Sequence, residues 1–161
     1  VKAPTLICDD GEVLMDSSLI LQYVEAKTAH RRSLWSADPT ERQREFRAVS
    51  IALAACDKSV QIISERNLRP TEAQYEPWLE RVMGQLQAAD AGLEQEVKKR
   101  PEAFLTAHTQ ASISAAVAWQ FTQSMLATIV QAPRHPALVE LSQRLEQAPE
   151  FLKYPPTGPG V

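Results

Sequence analysis

The chain has 161 residues, 23% of them charged, 44% in the AVILMFWYC set and 6% aromatic, and 17 Lys and Arg against 20 Asp and Glu leave a net charge of −3. A chain of this length fits one domain, or one domain plus part of another, and buries about 70% of its unfolded surface without disulfide or metal staples. The acidic balance argues against nucleic acid as the main partner, the apolar content excludes general disorder, and Cys8 and Cys56 make neither a disulfide framework nor a zinc motif, so a reducing cytoplasm is the expected compartment.

The first 15 residues read as a hairpin. Thr5-Leu6-Ile7-Cys8 and Glu12-Val13-Leu14-Met15 are short β-prone runs, and Asp9-Asp10-Gly11 between them is a turn signal. Pro4 stands at the head of the first strand, where its missing N–H does least harm. Asp16-Ser17-Ser18 then precedes Leu19, Ile20, Tyr23 and Val24, which is a capped helix start. Residues 28–40 read as a linker.

Helical spacing dominates from Glu41. Phe46, Val49, Leu53, Cys56, Val60 and Ile63 predict one continuous apolar face, ended by Pro70-Thr71. Tyr75, Trp78, Val82, Leu86, Ala89, Leu93 and Val97 predict a second long helix, followed by a loop over Lys99–His108. From Ala103 to Pro133 there is no charged residue, and the apolar side chains fall on all faces, which predicts a central, buried helix. Its start is Thr109-Gln110-Ala111-Ser112, and its glutamines break any membrane-length apolar run. A last helix is expected from His135-Pro136 to about Gln147, carrying Leu138, Leu141 and Leu145, with Pro149 as its stop and a Pro/Gly-rich tail behind.

Few single residues stand out. His30, His108 and His135 are scattered, with no metal-ligand spacing. Trp35, Trp78 and Trp119 read as core or interface. Cys56 lies on an apolar helix face and Cys8 at a strand end, and neither has a basic neighbour in sequence to activate it. The short basic runs Arg31-Arg32 and Lys98-Lys99-Arg100 suit solvated helix ends.

A two-stranded hairpin is not stable alone, so this sheet calls for strands from elsewhere. The arrangement, with Lys2-Ala3-Pro4-Thr5-Leu6, Asp10-Gly11-Glu12 and Asp16-Ser17-Ser18 ahead of Ile20-Leu21 and Tyr23, resembles the glutathione transferase family. The resemblance covers nearly the whole chain. It implies a mainly α protein: a partial thioredoxin-like α/β domain over residues 1–27, a linker at 28–40, an all-helical domain at 41–154 and a flexible tail at 155–161. Its site would hold glutathione as co-substrate. Pro4 would be a cis-proline, a form found in only about 5% of X–Pro bonds, presenting the Ala3 backbone to the cysteinyl part of glutathione. Asp16 and Ser17 would hold the γ-glutamyl carboxylate at a helix start, where unpaired N–H groups favour anions. Read from the residues alone, Pro4 is a strand-edge proline and Asp16-Ser17 an ordinary cap. Thr109 and Ser112 match the family's buried capping box, with Ser112 in place of the usual Asp.

The resemblance puts the catalytic Tyr, Ser or Cys in a βαβ unit ahead of the cis-proline, so no catalytic residue is expected among these 161. Three readings follow. The first is a glutathione transferase that joins the glutathione thiolate to a hydrophobic electrophile, as a homodimer, with neither nucleic acid nor membrane as partner. The second is a non-catalytic interaction or dimerisation module of the same fold. The third is a glutathione-dependent reductase or dehalogenase relative. In the first, helix phase points Arg47, Ser50, Ile51 and Ala54 toward the substrate.

Overall fold

The computed structural model describes residues 4–28, 32–106 and 108–156. The chain divides into two compact units, 1–34 and 35–161.

The first unit is a hairpin with one helix. Strand β1 (Thr5–Ile7) pairs antiparallel with β2 (Val13–Met15), Thr5 opposite Met15 and Ile7 opposite Val13. Cys8 and Glu12, expected in the strands, belong to the turn: the Cys8 N–H donates to the Glu12 carbonyl at 2.8 Å, and the Gly11 N–H to the Cys8 carbonyl at 3.0 Å. Gly11 takes a positive φ of 89°, which only glycine adopts without strain. Helix α1 (Ser17–Lys27) packs on both strands. Leu6 and Leu14, on one face of the sheet, are half-buried, as are Ile20 and Tyr23 of α1. Ile7, Val13 and Met15, on the other face, are exposed. None of the buried core belongs to this unit among the described residues.

The second unit is all helical: α2 (Pro39–Leu68), α3 (Glu76–Lys99), α4 (Pro101–Leu105), α5 (Gln110–Leu126), α6 (Pro136–Leu145) and α7 (Pro149–Lys153), with single 3₁₀ turns at Thr71–Ala73 and Ala132–Arg134. Helix α2 packs against α3 and α5, and α6 against both α3 and α5. It begins two residues before Glu41, because Asp38 accepts the Glu41 N–H at 2.8 Å and Pro39 fits the first helical position. The same property of proline corrects two other expectations. Pro101 opens α4 inside the expected Lys99–His108 loop, and Pro149 starts α7 rather than merely ending α6.

The core face of α2 differs from the expected one. Phe46, Leu53 and Val60 are exposed, and the buried residues are Ala48, Ala52, Ala55, Ser59 and Ile62. Small side chains let helix axes approach closely, and this row is spaced like the larger apolar one beside it. In α3 the buried row is Leu79, Val82, Leu86, Asp90, Leu93 and Val97, so Tyr75 and Trp78 fall outside it and Asp90 falls inside. Helix α5 is not buried on every side. Ala111, Ala115, Ala116, Ala118, Trp119, Thr122 and Leu126 are in the core, but Val117 is exposed. Its expected cap is present: Thr109 Oγ1 accepts the Ser112 N–H at 3.1 Å and Ser112 Oγ accepts the Thr109 N–H at 2.9 Å. Leu138, Leu141 and Leu145 of α6 are buried as a row.

Candidate functional site

The hairpin register decides where the sequence-derived site residues meet. Thr5 pairs with Met15, so Pro4 and Asp16 each stand one residue beyond that pair, at the same end of the sheet. Pro4 is an exposed bend residue there. Ala3, and with it the Ala3–Pro4 peptide bond, lies outside the described residues. At this end the chain leaves β2 and enters α1 with no loop between them.

Asp16 is the N-cap of α1 and has φ 77° and ψ 119°, the one non-glycine residue with positive φ among the described residues. Such a conformation costs on the order of 1–3 kcal/mol and tends to mark functional positions. The cap itself lowers that cost: Asp16 Oδ1 accepts the Ser18 N–H at 2.9 Å. The Ser17 and Leu19 N–H groups belong to the same first turn, where the helix offers no carbonyl to receive them. The Ser17 side chain is exposed beside them. The result is a donor cluster with a hydroxyl neighbour and a carboxylate at its root. It can receive an anion on the N–H side and a cation on the Asp16 side. The strain at Asp16 gives no signal in the sequence, since any Asp before a helix reads as a cap.

Of the residues expected to face substrate on α2, Arg47, Ser50 and Ala54 are exposed and Ile51 is half-buried. Arg47 Nε donates to Glu96 Oε1 of α3 at 3.0 Å, and Ile51 lies against Gly92 of α3. Burial pushes Glu96 up, but hydrogen bonds from Arg47 and Arg100 hold its carboxyl below the usual range. Arg47 and Ser50 line a shallow surface depression of about 740 Å³ with Thr40 and Phe46, which Ile51 and Ala54 do not enter.

A different concavity in the second unit is more apolar. A groove of about 610 Å³ runs between α5 and α7, walled by Val117, Phe121, Phe151 and Tyr154, with the Cys56 thiol of α2 at its side. Val117 and Phe121 are four residues apart on the α5 face left out of the core. Burial, and then the Asp90 carboxylate, push the Cys56 thiol up, opposite to what a nucleophile needs. Among the described residues no group of three His, Cys, Asp or Glu could hold a metal ion, and no helix is long and apolar enough to cross a membrane. His135 is buried, with Nδ1 3.1 Å from the Gln131 carbonyl and its ring 5.3 Å from that of Trp119, in a structural setting.

Residues 1–32 match the family model of the glutathione S-transferase N-terminal domain. No curated protein matches the chain. Among solved structures, a glutathione transferase family member from Pseudomonas fluorescens Pf-5 with bound glutathione superposes with a TM-score of 0.88 at 28% identity, over 98% of this chain and 75% of that one. The same protein with bound S-(propanoic acid)-glutathione gives 0.87 at 28%, over 98% and 78%. A glutathione S-transferase from Methylobacterium radiotolerans JCM 2831 in complex with glutathione sulfonate gives 0.88 at 26%, over 99% and 74%. The resemblance to the glutathione transferase family thus holds in both sequence and fold. The chain has the helical domain of that fold preceded by part of a thioredoxin-like domain.

Proposed function

We propose that this chain recognises glutathione through the Pro4–Asp16–Ser17 end of its hairpin, as part of a protein that joins the glutathione thiolate to an apolar electrophile. One observation carries the reading. The hairpin register brings Pro4 beside a strained Asp16 whose helix start presents the Ser17 and Leu19 N–H groups. The γ-glutamyl end of glutathione is a zwitterion. Its carboxylate suits the N–H groups and the Ser17 hydroxyl, and its ammonium suits the Asp16 carboxylate. The Ala3 backbone beyond Pro4 would pair with the cysteinyl amide as a short antiparallel strand. The glutathione ligands of the structural neighbours support the same co-substrate.

Transfer requires a group that lowers the thiol pKa of glutathione, through one hydrogen bond to the developing thiolate. The family resemblance places that Tyr, Ser or Cys upstream of Pro4. Its identity separates transfer from the reductase or dehalogenase reading. The protein works in the cytoplasm in this account, as a homodimer. Phe46, Leu53 and Val60, seven residues apart and 54%, 45% and 51% exposed, form one apolar stripe on α2 suited to a second copy.

Titration calorimetry with glutathione tests the recognition step. Saturable binding by the 161-residue chain, weakened about tenfold or more by Ser17→Ala without loss of helix content, is expected. Absence of heat, or an unchanged affinity in Ser17→Ala, would contradict it.

A further inference from the structure

Helices α2 and α3 are clasped at both ends and hold an unpartnered carboxyl group between the clasps. At one end Arg47 Nε donates to Glu96 Oε1 at 3.0 Å. At the other, Arg66 Nη1 donates to Glu76 Oε1 at 2.6 Å, and Glu65 Oε1 accepts the Tyr75 N–H at 3.2 Å. Asp90 lies between these two contacts along α3. It is fully buried, and neither carboxyl oxygen has a hydrogen-bond partner. Ile51 of α2 lies against Gly92 of α3, which places the buried Ala52 and Ala55 near the level of Asp90. Methyl groups offer a carboxyl no proton donor.

The charges on the surrounding elements are engaged elsewhere. On α2, Asp57 pairs with Lys58, and on α3 itself Glu94 and Glu96 pair with Lys98 and Arg100. The charged side chains of α4 and α6, Glu102, Glu140 and Arg144, are exposed. The Cys56 thiol of α2 is the titratable neighbour that the Asp90 charge reaches.

We propose that Asp90 is a proton-operated latch on the α2–α3 seam: protonated, it lets the seam stay closed, and ionised, it parts the middle of the two helices while the contacts at their ends hold. In an open seam the carboxylate meets water and titrates near its ordinary value of about 3.9. In the closed seam burial holds the proton on up to about 7. The open fraction therefore climbs with pH between those values, as the proton passes to solvent, and levels off above them. Parting the seam exposes little apolar surface on the α2 side, since an alanine buries far less area than a leucine. A local opening is then reached at lower free energy than unfolding of the whole helical unit. Every residue involved belongs to that unit, so the latch does not depend on glutathione recognition.

Native-state hydrogen exchange of the full chain in low urea tests this, with the intrinsic base-catalysed rates divided out. The amides of residues 52–56 and 86–92 are expected to exchange with little dependence on urea, while those of α6 follow the urea slope of global unfolding. Protection of the seam amides should fall by about tenfold or more from about pH 5 to about pH 8. Asp90→Asn leaves nothing to ionise and should remove that pH dependence. Seam amides that share the urea slope of α6, seam protection that does not change with pH, or a change that survives Asp90→Asn would each overturn the latch. The first two outcomes are read on the wild-type chain and decide the matter even where the variant folds poorly.

Discussion

Glu94 of α3 accepts the N–H of Leu138 at 2.9 Å, and its other carboxylate oxygen accepts that of Ala137 at 3.1 Å, so one side chain caps the start of α6 from a neighbouring helix. Glu94 is 2% exposed, and Lys98 holds it from below at 2.9 Å. His135, the N-cap by position, makes no side-chain cap bond, so α6 relies on Glu94 for those donors. Removing a charged acceptor from two buried donors costs about 2–4 kcal/mol. Glu94→Ala should lower stability by that amount in urea melts, and Glu94→Gln, which keeps one acceptor, by about half.

Asp90 contributes in the opposite direction. It is fully buried between Leu86 and Leu93, and neither carboxyl oxygen has a hydrogen-bond partner. Burial pushes its pKa up to about 7. In the unfolded chain an Asp titrates at about 3.9. Between those values the folded state keeps a proton that the unfolded state has released. Stability should therefore fall as pH rises from about 4 to about 7 and then level off, by on the order of 4 kcal/mol from this group. Asp90→Asn should flatten that part of the pH profile and raise stability at about pH 8. A wild-type chain equally stable across the window would contradict this.

The α5 capping box is a third handle. Thr109 and Ser112 satisfy each other's backbone N–H groups. Thr109→Ala should cost about 1–2 kcal/mol, and the Thr109→Ala, Ser112→Ala double variant less than the sum of the singles, because the two bonds form one unit. Denaturant midpoints of the four chains make the check.

The exposed α2 stripe gives a fourth prediction. Leu53→Glu should shift the chain from dimer to monomer in sedimentation velocity while leaving its helix content unchanged. Leu53 is 45% exposed and outside the buried row, so folding has no need of it. A wild-type chain that sediments as a monomer at all concentrations would contradict the dimer.

Much of this was legible in the sequence, and the failures have physical causes. The hairpin could be read because Asp9-Asp10-Gly11 is a turn signal, with Gly11 at the turn position that takes a positive φ. The starts of α1 and α5 could be read because Asp16 and Thr109 have few other uses there. The buried face of α2 could not. Two rows with the same helical spacing compete, and hydrophobicity favours Phe46, Leu53 and Val60, while close packing against α3 and α5 favours Ala48, Ala52 and Ala55. Pro149 reads as a helix stop and Pro101 falls in an expected loop, although proline is equally suited to the first helical position. The sequence pattern favours Ala89 over its neighbour Asp90 for the core row, because a lone carboxylate in a core is rare. For the candidate site, the residue types at Pro4, Asp16 and Ser17 were legible, but the strain at Asp16 was not. The groove walls were hidden within an uncharged segment that reads as core throughout.

The most direct measurement is the amide NMR spectrum of the isotope-labelled chain titrated with glutathione. The account predicts that the largest shift changes fall on Thr5 and on Asp16, Ser17, Ser18 and Leu19, and that Ser17→Ala diminishes them. Unchanged amides there, or changes confined to the helical unit, would contradict glutathione recognition at the hairpin end.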